Sequence, residues 1–498
     1  MRPITRPWRW TVLALAALLV VPASLPGQSA PRDQEIPDWL DDAVDDPLER
    51  AHWGVALYDL SGGRWLARHN ADRHFVPASN LKLLVTAAAL ERLGPEYTWR
   101  TSLYGTAPVD QGGVLRGDLV VYGRGDPNLS GRFEGSMTAV FEALADSLAT
   151  HGLRRVTGNL VADASHWDDE PLRPEWESYD TLWWYAAPVG ALGFNDNAID
   201  FSIRPGERVG DRPVVEGEPK SAFWSLENRA TTGPPGAPRT FDLTREPGTN
   251  RVIAYGVLPL DADTRTEYFA VVDPAAWAGT VLREVLAARG IAVDGPVTTI
   301  ADAARSPVAR GDTVALAAWT SPSLARVVET INGRSQNWHA EQLLKTLGKE
   351  VTGEGSWSAG LSAERATLAA IGVDTTAFSL HDASGLASAN LVTPGAMVEL
   401  LSAARRRPWS EAFVRSLPLA AGETGSLRRR FVNTVGAGRV RGKTGFIENV
   451  YALSGYLQTL DGRELAYSVI VNQTGRAGEM ATDAIDRLVN TFVAGKAP

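Results

Sequence analysis

Residues 53–60 alternate apolar and polar side chains, turn at Ser61-Gly62-Gly63 and resume the alternation over 65–68, which predicts a β-hairpin. Over 81–93 the apolar residues fall at helical spacing between Pro77 and Gly94, predicting a buried helix with Ser79 in its first turn. From about 98 to 299 the pattern returns to short alternating runs, such as 117–123, 157–162, 198–203 and 251–258, separated by turn-rich stretches. Only 137–151 and 274–289 carry a clear helical period there. Beyond Pro322 helices are predicted at 323–331, 338–347, 362–371 and 394–405, the last with Thr393 as cap and Pro394 at the first helical position. Residues 450–457 and 464–471 read as strands joined at Asp461-Gly462, and 480–493 as a closing helix. Both ends of the chain supply strands, and a helical block lies between them. This predicts an α/β (α+β) chain: a domain of helices on an antiparallel sheet from 31–97 and 316–498, interrupted by a β-rich region at 98–315 expected to form two domains.

Composition narrows the partners. At 498 residues and 44% hydrophobic content the chain can bury a large core. Its net charge of -9, with arginines scattered rather than striped, excludes a nucleic-acid binder. There is no cysteine, hence no disulfide, thiolate nucleophile or thiolate metal site. The histidines make no His-Glu-x-x-His pattern, and neither metal nor cofactor is expected. Arg2, Arg6 and Arg9 precede an apolar run over 11–23 and small residues through Ala30, the order of a secretory signal. Residues 1–30 are therefore expected to direct export to the periplasm. The run is shorter than the roughly 20 residues that span a bilayer, so the mature chain is expected to associate with a membrane at most peripherally.

Chemistry enters with the lysines. Only Lys82, Lys220, Lys345, Lys349, Lys443 and Lys496 occur in a chain that otherwise uses arginine. Arginine stays protonated, whereas a buried lysine can act as a base. Two of the six stand in Ser79-Asn80-Leu81-Lys82 and Lys443-Thr444-Gly445, with Ser335-Gln336-Asn337 between them. Residues three apart on a helix share a face, so Ser79 and Lys82 can bring hydroxyl and amine together. Lys443 is expected to be the second cation that depresses Lys82. Ser335 can relay a proton to a leaving nitrogen, and Asn337 can hold both substrate and lysine. Thr444 offers a hydroxyl to a carboxylate, and Gly445 lets a ligand lie against an edge strand. The amides of Ser79 and Phe446 are the expected oxyanion donors. His339 and Glu341 read as a helix-surface pair, and the other four lysines as surface charges. Ser-x-x-Lys alone is a weak signal; the three motifs in this order and context are a strong one.

On those motifs the chain resembles the D-alanyl-D-alanine carboxypeptidase/endopeptidase family, the low-molecular-mass class C penicillin-binding proteins. Residues 75–82, 118–130, 185–197, 382–394 and 417–456 carry the resemblance, as does the spacing of roughly 250 residues between Lys82 and Ser335. It implies a penicillin-binding protein/β-lactamase-like core with inserted domains, peptidoglycan stem peptides as substrate, and β-lactams as covalent inhibitors. It implies Ser79, Lys82, Ser335, Asn337 and Lys443 as catalytic, with Thr444, Gly445 and Phe446 binding substrate. Family members also carry an acidic insert residue that meets a substrate ammonium, which Asp168 or Asp169 is placed to match. Where the family often has an arginine after Ser-Gly-Leu, this chain has Ala387-Ser388. A β-lactamase or esterase on the same core, or a non-catalytic cell-wall binder, are the competing readings.

Overall fold

The computed structural model describes residues 40, 44, 48–475 and 478–496. The expected signal sequence lies outside the described residues. Labels below cover only the elements that build the site. Strands β1 (His52–Asp59) and β2 (Arg64–His69) come from the start of the chain, and β3 (Val440–Ile447), β4 (Val450–Gln458) and β5 (Glu464–Asn472) from its end. They form one antiparallel sheet in the order β3-β4-β5-β1-β2. The pairing of β1 with β5 closes the two chain ends into one body.

Both faces of this sheet are covered, and the period-2 rule assigns alternate residues to different cores. Val55, Leu57, Leu453, Tyr467 and Val469 pack under helix α6 (Gly478–Val493) against Ile485, Leu488 and Phe492. Ala56, Ala452, Ala466 and Ile470 face the helical block on the other side. That block comprises α1 (Lys82–Leu93), α2 (Leu324–Arg334), α3 (Asn337–Thr352), α4 (Trp357–Ala370) and α5 (Pro394–Arg405). Helix α5 begins as its sequence predicts: Thr393 accepts from the Ala396 amide, and Pro394 supplies a pre-set φ where no amide is needed.

Between α1 and α2 the chain builds a separate hydrophobic core, drawing on residues from Leu103 to Ile291. Its main sheet has the order 297–300, 160–163, 119–122, 100–105, 314–320. Strands 119–122, 160–163 and 297–300 run parallel. Parallel neighbours need crossovers, and the helices Ala139–Thr150 and Pro274–Ala288 lie on the connecting segments. A smaller antiparallel sheet, 265–270, 198–204, 214–218, and short ladders at 225–259 extend outward from this unit. Strand Val314–Thr320 pairs with Arg100–Gly105, so the inserted sheet ends at Thr320.

The insertion is fastened to α3. Trp338 Nε1 donates to the Pro188 carbonyl at 3.0 Å and Gln342 Nε2 to Gly190 at 3.1 Å. Lys345 donates to Asp168 at 2.6 Å and to the Glu170 carbonyl at 2.7 Å, with its ammonium 4.7 Å from the Trp357 ring centroid. Lys345 is fully buried, contrary to the expectation of a surface charge. An isolated buried ammonium is costly, and the insertion supplies the carboxylate and carbonyl that make it tolerable. His339 and Glu341 are likewise fully buried and not a surface pair: the insertion and the 382–387 loop cover the helix face that a single helical period would leave to water.

Candidate active site

Ser79 stands on a tight turn. Ala78–Leu81 is a single 3-10 turn leading into α1, and Ala78 has φ 47°, a left-handed conformation unfavourable for a residue with a Cβ. The neighbouring loop makes room for it: Gly385 has φ 80°, and a Cβ there would fall 1.9 Å from the Ala78 carbonyl oxygen. One turn on, the amine of Lys82 donates to Ser79 Oγ at 2.8 Å. It also donates to Asn337 Oδ1 at 2.7 Å and to the Ser384 carbonyl at 2.6 Å. An ammonium has three donors and no acceptor, so all three hydrogens of Lys82 have partners.

Asn337 is the first residue of α3, and its Nδ2 donates to the Tyr185 carbonyl of the insertion at 2.8 Å. This amide orientation gives its oxygen to Lys82. Ser335 lies just before, in the left-handed region at φ 61°, where α2 ends. Its Oγ accepts from Lys443 Nζ at 2.8 Å, and Lys443 also donates to the Thr444 carbonyl at 2.7 Å.

Strand β3 is the outer strand of its sheet. The Gly442 amide is taken by the Pro418 carbonyl at 3.1 Å; from Lys443 onward, among the described residues, β3 has a ladder partner only in β4. Gly445 is where β3 passes the turn that carries Ser79, since a Cβ there would lie 2.6 Å from the Pro77 carbonyl oxygen and 2.9 Å from Asn80 Nδ2. Thr444 Oγ1 meets Ser426 Oγ at 2.9 Å. Phe446 is 64% exposed, its ring 5.1 Å from that of Tyr451. The structure thus brings Ser79, Lys82 and Asn337 into one hydrogen-bonded set and Ser335 and Lys443 into a second beside it, close enough for the two amines to feel each other's charge, with the 444–446 strand segment running alongside.

The electrostatics differ from the sequence expectation in one respect. Lys82 is lowered to about 7, and burial is the dominant cause, opposed by the carboxyls of Glu341 and Asp382. Lys443 is held well below the ordinary lysine range, first by burial and then by the facing Lys82 charge. The expected depression of Lys82 by Lys443 is therefore not the main effect. Two buried amines of like charge discourage a second proton, and they titrate as a pair.

Sequence reading missed three contributors: the Ser384 carbonyl, the Tyr185 carbonyl and Glu341. The first two act through backbone atoms, which leave no residue-type signal. Asp168, one of two candidates for the acidic insert residue, is instead engaged by Lys345. Asp180 of the insertion accepts at 3.0 Å from the hydroxyl of Tyr185, the residue whose carbonyl holds Asn337. No group of three or more metal-ligating side chains occurs among the described residues. No helix there is long and apolar enough to cross a membrane.

A serine and a lysine three residues apart where a 3-10 turn enters a helix, a Ser-x-Asn loop and a Lys-Thr-Gly outer strand, set on a five-stranded antiparallel sheet, define the penicillin-binding protein/β-lactamase-like class of fold. Residues 37–492 match the D-Ala-D-Ala carboxypeptidase 3 (S13) family, and the chain belongs to it; it is a hydrolase of the peptidase class. It is 35% identical over 97% of its length to a D-alanyl-D-alanine carboxypeptidase of Actinomadura sp. strain R39, covering 89% of that protein. A D-alanyl-D-alanine carboxypeptidase DacB of Haemophilus influenzae is 24% identical over 85% of this chain and 86% of its own length. Penicillin-binding protein 4 of H. influenzae superposes with a TM-score of 0.79 at 20% identity, covering 91% of this chain and 98% of that one. That protein has also been solved with a β-lactam bound, a structure that matches with a TM-score of 0.74.

Proposed function

We propose that this chain is a serine DD-peptidase acting on peptidoglycan stem peptides through an acyl-enzyme at Ser79. The observation that carries this reading is the position of Lys82, a buried amine held between the hydroxyl it would deprotonate and two fixed acceptors. When Lys82 loses its proton, two N–H bonds remain for Asn337 and the Ser384 carbonyl, and the lone pair is left to face Ser79 Oγ. Ser79 Oγ then attacks the carbonyl carbon between two D-alanines, its proton passing to Lys82. Negative charge grows on the carbonyl oxygen, to which we assign the amides of Ser79 and Phe446 as donors. As the C–N bond breaks, the proton that Lys82 accepted passes by way of Ser335 Oγ, itself hydrogen-bonded to Lys443, to the leaving nitrogen, which leaves the Lys82 amine neutral again. That amine then takes a proton from water as the water attacks the acyl carbon, and returns it to Ser79 Oγ as the C–O bond breaks and the acyl group leaves.

Thr444 and Lys443 provide a hydroxyl and positive potential for the terminal carboxylate. The edge of β3 offers main-chain hydrogen bonds to an extended peptide. β-Lactams would acylate the same serine, and the inferred export signal fits a periplasmic substrate. We assign Asp180 as the insert carboxylate for a substrate ammonium. Asp180→Asn is expected to raise KM about tenfold or more for a stem peptide bearing a free side-chain amine. It leaves KM for the N-acetylated peptide unchanged, and steady-state kinetics on the two peptides checks this. Digestion of purified peptidoglycan with wild type and Ser79→Ala, read by mass, tests the whole reading. Loss of D-alanine or opening of cross-links by wild type alone supports it; equal products from both, or none from either, contradict it.

A further inference from the structure

The carboxyl of Glu341 lies one turn into α3, directly behind the cluster, and is fully buried. It accepts from the Ala383 amide at 3.0 Å and from the Ser384 amide at 2.8 Å. Ser384 is the residue whose carbonyl receives a hydrogen from Lys82. Asp382, also fully buried, closes the same loop on itself. Its oxygens accept from the amides of Gly385 at 2.8 Å and Ala387 at 2.7 Å, from Asn390 Nδ2 at 2.8 Å and from Trp176 Nε1 of the insertion at 3.0 Å. The 382–387 loop is thus fixed by two buried carboxyls, and its carbonyl is one of three anchors of the amine. The Glu341 carboxyl and Asn337 sit on the same helix and reach Lys82 from two sides, one through a backbone carbonyl and one directly.

We propose that Glu341 is a positioning residue for the reaction at Ser79: it grips the Ala383 and Ser384 amides and so aims the Ser384 carbonyl that orients the Lys82 amine. This rests on Lys82 being the base. Without the grip, a carbonyl on a free loop would not point steadily at the amine, and its lone pair would lose alignment with Ser79 Oγ.

An electrostatic consequence follows. The charged groups facing Lys82 are Lys443 from β3, Glu341 from α3 and Asp382 from the loop. Behind them lie Lys345 on α3 and Glu364 on α4, the latter held well above the usual carboxylate range by burial. Burial and Asp382 also push Glu341 upward, to about 8, while the two loop amides oppose this by bonding its oxygens. A carboxyl raised that far keeps its proton over the range where Lys82, at about 7, gains one. Replacing Glu341 by glutamine therefore changes what the loop amides bond to more than it changes the charge beside the lysine.

The test is the pH dependence of acylation by a fluorescent penicillin in wild type, Glu341→Gln, Glu341→Asp and Glu364→Gln. Glu341→Gln is expected to slow the acylation step by at least tenfold, while the affinity for penicillin before acylation and the acid limb of the profile stay near wild type. Glu341→Asp keeps the carboxyl but withdraws it from the amides, so it slows acylation in the same way. Glu364→Gln, equally buried but without a bond to the loop, leaves rate and limb unchanged. A folded Glu341→Gln with the wild-type acylation rate overturns the proposal, as does a variant whose loss lies wholly in penicillin binding. If Glu341→Gln fails to fold, an unslowed Glu341→Asp overturns it instead. Wild type that does not acylate at all sinks the underlying assignment of Ser79 and Lys82, which the first trace of the experiment reports separately.

Discussion

A lysine amine serves as a base near neutrality only where water is excluded and where its bonds survive loss of a proton. Lys82 meets both conditions, with complete burial and three acceptors of which a neutral amine needs only two. Its lowered value sets the sign of the pH effect. Below about 7 the amine is protonated and cannot accept from Ser79, so kcat/KM should fall about tenfold per pH unit on the acid side and level off above. Lys82→Arg keeps the positive charge but not the ability to lose it. Acylation should drop by about 10²–10⁴-fold with the acid limb abolished, measured by stopped-flow binding of a fluorescent penicillin. An unchanged limb in this variant would assign the base elsewhere.

At the scale of elements, the site is made by three ends meeting: a 3-10 turn, a helix start and an outer strand. Their spacing leaves no room at Gly445, where a Cβ would press on the Pro77 carbonyl and Asn80. Gly445→Ala should separate β3 from the nucleophile turn, costing about 1–3 kcal/mol in a denaturant melt and about a hundredfold in acylation, as small misplacements of a reacting group do. Acylation within threefold of wild type would show that the contact is not a constraint. The motif residues were legible because each needs a particular side chain in a particular local context: Ser79 and Lys82 at a helix start, Ser335 and Asn337 before a helix, Lys443 to Phe446 leading a hairpin. The helix over 394–405 and the hairpin over 450–472 were legible from period and caps. The surroundings of α3 were not. Its His339, Glu341 and Lys345 are polar by type and buried by partners about 40 to 180 residues away in sequence, and no local pattern announces such cover. The inserted sheet was read as short alternating strands, yet three of its strands run parallel, and two of these, 119–122 and 160–163, are buried along their whole length.

Across the whole molecule, the insertion is part of the site rather than a neighbour of it. The Tyr185 carbonyl orients Asn337, and segment 168–190 is bonded to α3 at four successive positions, Asn337, Trp338, Gln342 and Lys345. Lys345→Met removes the ammonium and leaves Asp168 and the Glu170 carbonyl without it. Because Asp168 is partly exposed, the expected loss is about 1–3 kcal/mol rather than the full penalty of a buried charge. A thermal melt checks the loss, and acylation should slow along with it because the carbonyl that orients Asn337 belongs to the loosened segment. A destabilised variant with wild-type acylation would separate the insertion from the site. The central claim, that Ser79 is the nucleophile of this cluster, is tested most directly by intact-protein and peptide mass after incubation with benzylpenicillin. One added penicillin on the peptide containing Ser79, absent from Ser79→Ala, is the predicted result. No adduct on the wild-type protein, or an adduct on any other residue, would contradict it.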